Sequence, residues 1–234
     1  MNQPRKIQLV GIDGGYDKGA VAIITICDGV CGFSAASLNE FAPKNIKPSE
    51  TMYERIYAKI CIAEAFRNEI ARNLIPDADL FIAIEGYAYG KYFKSHDMGE
   101  IGGLIRKNII ELLWRRNHNQ ETYHFYEFTP MAWKKLALGK GSAKKEQIQE
   151  WAQGLVNEVK SEKSTILSKY PNRKGGLDWR IDPDKCDALG VVWALGVQLE
   201  LLTRKTQIKA DFKSGAEPQK PKKHRKPRQI SLIE

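Results

Sequence analysis

The chain has 234 residues, 42% of them hydrophobic, and a formal net charge of +9 at neutral pH. This length suits one domain with or without a tail, and the hydrophobic content is enough for a core. No apolar run approaches the roughly 18 residues of a membrane span. The N-terminal segment passes directly into a predicted strand, without the apolar core of a signal peptide. The sequence therefore predicts a cytoplasmic protein and argues against a membrane-spanning or secreted one.

The positive charge is concentrated near the C-terminus. Residues 205–234 contain nine Lys or Arg against three Asp or Glu, and almost no apolar residues before Ile230. Because such a composition is typical of disorder, we predict one domain at 1–204 and a basic, disordered tail at 205–234. A basic chain favours a polyanionic partner such as nucleic acid. A tail that only keeps the protein solvated is the alternative.

Cysteine and histidine usage argues against a zinc site. Cys27, Cys31, Cys61 and Cys186 form no CxxC pair, and the four histidines are widely spread. Reduced thiols that fill apolar space are the expectation for a cytosolic chain. Cys27 and Cys31 flank a predicted turn and could come close to each other.

The first structured stretch surrounds Asp13. Apolar runs at residues 7–12 and 20–26 flank this carboxylate and two following glycines. The pattern predicts a buried strand, a tight turn and a returning strand. A carboxylate at the end of an apolar strand is costly unless it is paired, hydrogen-bonded or bound to a metal. A plain hairpin with a surface Asp is the alternative.

Periodicity and capping signals predict the remaining elements in chain order. They are a strand at 30–37, a helix from Thr51 to about 73, a strand at 80–84, a helix at about 98–116, a strand at 122–128, a short helix capped by Thr129, a helix capped by Ser142 and ending near 160, and a helix at about 183–204. The predicted core face of the helix at 51–73 carries Ile56, Ile60, Ala63, Phe66 and Ile70. We expect residues 161–181 to be irregular. This order predicts an α/β fold, a mixed five-stranded sheet whose first three strands form a meander, with helices on its faces.

Carboxylates recur where such a sheet forms its sites. Asp13 and Glu85 each end a predicted strand, and sites in open α/β sheets form at the carboxyl ends of strands. Asp184 and Asp187 begin the last predicted helix, on one face of its first turn. Hard oxygen ligands without His or Cys favour Mg²⁺ or Mn²⁺, and two such ions about 4 Å apart serve phosphodiester hydrolysis. We predict these four carboxylates as catalytic metal ligands for two ions per active site. The alternative is that Asp184 and Asp187 only favour a helix N-terminus and that Glu85 is an ordinary strand-end charge.

Four segments carry a family resemblance. GIDGG (11–15), FIAIEGYAYGK (81–91), TPMAWKKLALGKGSAKKEQIQ (129–149) and DPDKCDALGVVWAL (182–195) together resemble the RuvC family of Holliday-junction resolvases. The match follows the family's order over most of residues 6–200, and GKGSAKKEQ followed by DxxDAL is its more specific part. The resemblance implies an RNase H-like fold, divalent-metal dependence and homodimeric nicking of four-way DNA junctions.

The resemblance also assigns roles to individual residues. The family's acidic positions fall on Asp13, Glu85, Asp184 and Asp187, and its two cleft lysines on Lys134 and Lys145. Its junction-wedging aromatic corresponds to Tyr87, Tyr89 or Tyr92. In the family, the helix after the Glu strand forms the dimer interface, where Gly99, Gly102 and Gly103 would suit a close two-fold contact.

The residues by themselves support DNA binding. We predict that basic side chains of the short helix after Thr129 and of the Gly-rich turn that follows it neutralise phosphates, and that the aromatics stack on unpaired bases. The basic side chains are Lys134, Lys135, Lys140, Lys144 and Lys145. Core or dimer packing is the alternative for the aromatics.

Some features depart from the family. Gly14 stands where Pro is usual, residues 161–181 look longer than the bacterial enzyme requires, and the basic tail is extra. These features indicate a divergent or phage-encoded version. The final QISLIE (229–234) resembles the peptide with which bacterial proteins bind the sliding clamp, although a chance terminus is the alternative.

Other functions compete with junction resolution. An RNase H-like nuclease that cuts flaps or RNA–DNA hybrids would have the same carboxylates, and a non-catalytic branched-DNA-binding protein would have the same basic surface. An actin-like ATP-binding or sugar-kinase domain also opens with a strand, an acidic residue and glycines. That fold repeats its unit, and we find no second copy in this sequence.

Overall fold

A computed structural model describes residues 6–15, 19–27, 30–37, 51–86, 95–116, 123–158, 167–171 and 177–204. The strands are β1 (Lys6–Gly14), β2 (Gly19–Cys27), β3 (Val30–Ser37), β4 (Asp79–Glu85), β5 (Tyr123–Phe128), β6 (Leu167–Pro171) and β7 (Leu177–Ile181). The helices are α1 (Met52–Asn73), α2 (Ser95–Arg116), α3 (Pro130–Leu138), α4 (Lys145–Glu158) and α5 (Pro183–Gln198).

The main sheet has five strands in the order β3-β2-β1-β4-β5. β1, β2 and β3 pair antiparallel as a meander, whereas β4 and β5 join β1 in parallel. Each parallel connection carries a helix, as crossover connections require. The mixed five-stranded sheet predicted from the sequence, with its opening meander, is confirmed.

Helices cover both faces of this sheet. Since side chains alternate along a strand, Leu9 of β1 lies on one face and Val10 on the other. The face of Leu9, called here the α5 face, packs against α3, α4 and α5. The face of Val10, called here the α1–α2 face, packs against α1 and α2. α2 buries Ile101, Ile105 and Ile109 there, at the four-residue spacing of one helix face.

Helix α5 lies against β1 at very short range. A Cβ atom placed on Gly11 would be 2.5 Å from both the Ala188 carbonyl oxygen and the Val192 amide nitrogen. Only glycine therefore allows the helix backbone to approach the strand this closely. Every residue of α5 from Ala188 to Gly196 is buried, as expected of a helix enclosed by the sheet on one side and by other helices on the other.

Local capping follows the sequence closely at two helix starts. Thr51 and Glu54 form the predicted capping box of α1, in which the Thr51 amide donates to Glu54 Oε2 over 2.8 Å. Thr129 caps α3 through the Ala132 amide, and Pro130 fills the first turn.

The predicted core face of α1 is partly wrong. Ala63, Phe66 and Ile70 are buried, but Ile56 and Ile60 are 39% and 36% exposed. The buried face instead includes Lys59, whose ammonium pairs with Glu100 on α2. Because neighbouring helical residues point about 100° apart, turning Lys59 towards α2 directs Ile60 outwards.

The prediction that residues 161–181 are irregular is also wrong, because β6 and β7 form an antiparallel two-stranded sheet there. The pairing depends on backbone hydrogen bonds, which the Lys- and Gly-rich composition does not reveal.

Three helix boundaries differ from the prediction. α2 begins at Ser95 and not near residue 98. Ser142 does not cap α4, which begins three residues later, where the Lys144 amide donates to Gln147 Oε1 over 3.1 Å. α5 ends at Gln198 and not near Arg204. Glu200 adopts a positive φ of 59°, and the Leu201 and Leu202 amides donate back to the Gly196 carbonyl, which closes the helix.

The four cysteines are free thiols in the structure, and Cys186 is the buried one among them. None of the helices that the structure describes has the length and apolar character needed to cross a membrane. The predicted tail at 205–234 lies outside the described residues.

The Gly11 contact yields a stability prediction. We expect Gly11→Ala to destabilise the fold by about 1–3 kcal/mol, because α5 must shift away from β1 to admit the methyl group. Gly32→Ala is the matched strand control, since nothing lies within 4 Å of its added Cβ. The control should be neutral or slightly stabilising. Urea denaturation measures both, and equal stabilities of the two variants would contradict the close packing of α5 on β1.

Candidate active site

The sheet places Asp13 beside Glu85. Asp13 is the second-last residue of β1 and Glu85 the last residue of β4. The two strands are parallel and in register up to Ile12 and Ile84, so the carboxylates occupy the next position on neighbouring strands. Both continue the alternation that puts Leu9 and Ala83 on the α5 face. The two strand ends therefore carry their carboxylates on the same side of the sheet.

Helix α5 brings the second pair of carboxylates to that side. Asp182 caps the helix by accepting the Asp184 amide over 2.9 Å, and Pro183 is its first residue. Asp184 and Asp187 follow in the first turn and a half. Ala188, next to Asp187, contacts β1 at Gly11, two residues before Asp13. The helix N-terminus therefore lies over the carboxyl end of the central strands.

The carboxylates interact electrostatically. Burial raises the pKa of Asp13 well above its ordinary value, and the negative charges of Glu85, Asp187 and Asp184 raise it further. Burial and Asp187 raise the pKa of Glu85 to about 7. Burial raises the pKa of Asp187 to about 6, with a smaller contribution from Asp184. Like charges raise one another's pKa only when they lie close together in a poorly solvated place.

Two lysines offset part of this negative charge. Lys134 on α3 lowers the pKa of Glu85 and of Asp187. Lys145, the first residue of α4, lowers the pKa of Asp13 and of Asp187. Both lysines therefore act on the carboxylates.

The other predicted DNA-binding lysines lie on an adjoining surface. Lys135, Lys140 and Lys144 are exposed on α3 and on the turn between α3 and α4. That turn depends on Gly139, whose φ of 80° ends α3 and whose amide donates to the Lys135 carbonyl. Tyr87, Tyr89 and Tyr92, the predicted base-stacking aromatics, lie outside the described residues, as does QISLIE.

The donor set fits a hard divalent cation in its chemistry. It consists of carboxylate oxygens, which Mg²⁺ and Mn²⁺ prefer. Apart from the buried Cys186, no His or Cys lies beside the candidate ligands at the two strand ends or in the first turns of α5. Across the described residues, no three His, Cys, Asp or Glu side chains are already gathered closely enough to hold a metal ion. Uncompensated carboxylates repel one another, and a bound cation would remove that repulsion.

Two neighbours of the site were not predicted from the sequence. Trp133 on α3 is completely buried, and its indole N–H also lowers the pKa of Glu85. Glu127 on β5 pairs with Arg106 of α2 over 2.7 Å. A Cβ on Gly86 would lie 2.5 Å from Glu127 Oε1, so this ion pair packs directly against the residue after Glu85. The Trp immediately before Lys134 is the sequence signal that points to the first of these neighbours.

The raised pKa values predict how stability depends on pH without divalent ions. Glu85 has an ordinary value of 4.5 in an unfolded chain and about 7 when folded, so the folded state binds more protons between these values. Stability should therefore fall as pH rises from about 4.5 to 7. We expect Glu85→Gln in EDTA to raise the melting temperature at pH 8, by about 2–4 °C for each kcal/mol gained in the free energy of unfolding. At pH 4.5 the same substitution should change the melting temperature little.

The exposed Glu150→Gln on α4 is the control for this experiment and should show no such pH dependence. A Glu85→Gln effect of the same size at both pH values would exclude charge crowding as its cause.

Comparisons with known proteins support the fold. No family model matches the sequence, and the search of curated proteins found no match. Among solved structures, Thermus thermophilus RuvC superimposes with a TM-score of 0.53 at 14% identity, covering 83% of this chain and 96% of that one. The T. thermophilus RuvC complex with a Holliday junction substrate gives 0.52 at 13% identity, with the same coverage. The yeast mitochondrial Holliday junction resolvase gives 0.46 at 11% identity, covering 82% of each chain. At these identities the similarity to RuvC shows the fold, which confirms the expected RNase H-like architecture.

Proposed function

We propose that this chain is a divalent-metal-dependent endodeoxyribonuclease that cuts Holliday junctions as a homodimer. The observation that carries the proposal is the electrostatic coupling of Asp13 to Glu85, Asp184 and Asp187 on the α5 face. Carboxylates on separate elements that raise one another's pKa destabilise the fold unless they bind a cation. Functional sites are where such perturbed groups collect.

The four carboxylates would hold the metal ions, and Lys134 and Lys145 would face the phosphate. Bound ions supply an activated water and stabilise the leaving oxygen of a phosphodiester. The lysines contribute the positive charge that attracts the DNA backbone to a negatively charged site. The exposed Lys135, Lys140 and Lys144 extend this positive surface away from the carboxylates.

Branched DNA is the proposed substrate. Two considerations support it: the motif resemblance to Holliday-junction resolvases, and the fold shared with a RuvC structure that contains a Holliday junction substrate. Flap or RNA–DNA hybrid cleavage and non-catalytic junction binding are the competing outcomes.

The catalytic prediction is that Asp187→Asn loses junction cleavage in Mg²⁺ by about 10³-fold or more, equivalent to roughly 4 kcal/mol. The variant should still bind junctions, because removing a negative charge near the phosphates does not weaken the attraction between the protein and the DNA backbone. Cleavage of synthetic four-way junctions, flaps and hybrids, each with Mg²⁺ or EDTA, and mobility-shift binding provide the measurements.

Asp77→Asn is the matched control, since Asp77 is exposed with a positive φ of 61°, a conformation that Asn also tolerates. It should cut normally. Full activity of Asp187→Asn, or cleavage of hybrids and not of junctions, would contradict the proposal, and junction binding without any cleavage would favour the non-catalytic alternative.

The homodimer is supported by apolar surface on the α1–α2 side. Large hydrophobic side chains are exposed on the two helices, namely Met52, Tyr53, Ile56, Tyr57, Ile60, Ile110 and Trp114. On α2, Gly99, Gly103, Ile110 and Trp114 share one helix face, and open space surrounds both glycines. Exposed large apolar side chains of this kind are typical of a protein contact. We propose that the α2 face meets its copy across a two-fold axis.

Trp114 is 61% exposed in the single chain. We expect Trp114→Glu to convert the dimer to monomer, because an unpaired charge buried in the interface opposes association. Light scattering after size-exclusion chromatography measures the mass. Met131→Glu is the control, since Met131 is 68% exposed on α3, on the other side of the sheet. A dimer that tolerates Trp114→Glu, or one that Met131→Glu disrupts equally, would place the interface elsewhere.

A further inference from the structure

Trp133 connects the helix that carries Lys134 to the helix that carries Asp187. It lies in the first turns of α3 and is completely buried. Its ring packs directly on the backbone of α5 at Gly190, where an added Cβ would lie 2.3 Å from the ring. Gly190 is three residues after Asp187 and therefore on the same side of α5. The ring thus sets how closely α3 and α5 approach each other beside the carboxylates.

The indole N–H of Trp133 is a buried donor without an acceptor. Among the described residues, Trp133 Nε1 and Trp151 Nε1 are the buried side-chain polar atoms that have no partner at hydrogen-bond geometry. An unpaired buried donor costs free energy, so its retention calls for an explanation. Trp133 differs from Trp151 in its surroundings: Trp151 packs edge-on against Trp193 in the core, 6.3 Å between ring centroids.

Sheet topology places Trp133 near the Glu85 strand end. Glu85 pairs with Phe128, the last residue of β5, and α3, which carries Trp133, begins two residues later. The indole N–H has no partner at hydrogen-bond geometry, and it also lowers the pKa of Glu85. Lys134 also lies over the Trp133 ring, its Nζ 5.4 Å from the centroid. The ring therefore touches or faces three parts of the candidate site: the Glu85 strand end, Lys134 and the α5 turn after Asp187.

We propose that Trp133 is a positioning residue of the metal site, whose indole N–H donates a hydrogen bond to Glu85 when that carboxylate turns to bind a divalent cation. The inference rests on the proposed function, because it takes Glu85 as a metal ligand. Outer partners of this kind orient a ligand and restrict its rotation. The completed hydrogen bond also gives the buried donor its acceptor.

The test observes the indole N–H directly. The protein has five tryptophans, so ¹⁵N-labelling of the indoles gives five cross-peaks, which Trp133→Phe and Trp151→Phe assign by elimination. On titration with Mg²⁺, the Trp133 proton should move downfield as it becomes hydrogen-bonded. The Trp151 proton, equally buried and equally unpaired without metal, is the internal control and should stay in place.

Metal affinity provides the second readout. Trp133→Phe keeps an aromatic side chain on α3 but removes the N–H, together with six-membered-ring atoms that contact Gly190. We expect it to weaken Mn²⁺ binding by about tenfold, measured by electron paramagnetic resonance of free Mn²⁺. Trp151→Phe removes the same N–H and the same ring volume from the core, and should bind Mn²⁺ like the unaltered protein. Urea denaturation of both variants reports the packing loss separately.

The outcomes distinguish the two proposals. If the unaltered protein binds Mn²⁺ and cuts junctions, but the Trp133 proton does not move and Trp133→Phe binds as well as Trp151→Phe, the positioning role is overturned and the nuclease stands. If the unaltered protein neither binds Mn²⁺ nor cuts DNA, the proposed function fails and the positioning role fails with it.

Discussion

The approach of α5 to β1 at Gly11 is the contact on which the candidate site depends. A side chain at this position would collide with the backbone of α5 at Ala188 and Val192. Without this contact the N-terminal turn of α5 would lie farther from the sheet. Asp187, just before Ala188, would then be too far from Asp13 for their charges to interact as they do. One glycine in a strand therefore determines how closely the carboxylates of α5 approach those at the strand ends.

The same contact creates an electrostatic cost. Burial and mutual repulsion raise the pKa of Asp13, of Glu85 and of Asp187, so keeping them ionised near neutral pH works against folding. Lys134 and Lys145 offset only part of this cost, since the pKa values of Glu85 and Asp187 stay near 7 and 6 in their presence. Such residual repulsion is typical of sites that are arranged for a ligand and not for stability. In the proposed nuclease, divalent cations would supply the missing positive charge.

The two faces of the sheet carry different proposed functions. The α5 face holds the carboxylates, the lysines and Trp133, enclosed by a core that includes most of α5. The α1–α2 face is built on a separate core and presents exposed apolar side chains outwards, which suits an interface with a second copy. Since the sheet lies between them, a change in the outer surface of α2 does not have to disturb the carboxylates. This separation keeps the proposed dimer interface apart from the proposed metal site.

The sequence by itself determined the elements whose signals are local. Alternating and continuous apolar runs identified β1 to β5, and Thr51 and Thr129 marked the starts of α1 and α3, because caps and periodicity act over a few residues. The strand-end positions of Asp13 and Glu85 followed from the same signals. The β6–β7 hairpin and the end of α5 were missed, since both depend on backbone hydrogen bonds that composition does not encode. Only the tertiary structure decided that Ile60 faces outwards, that Lys134 and Lys145 act on the carboxylates, and that Trp133 joins α3 to α5 beside Glu85. These relations link residues far apart in the chain, and their geometry is set by how the helices pack on the sheet.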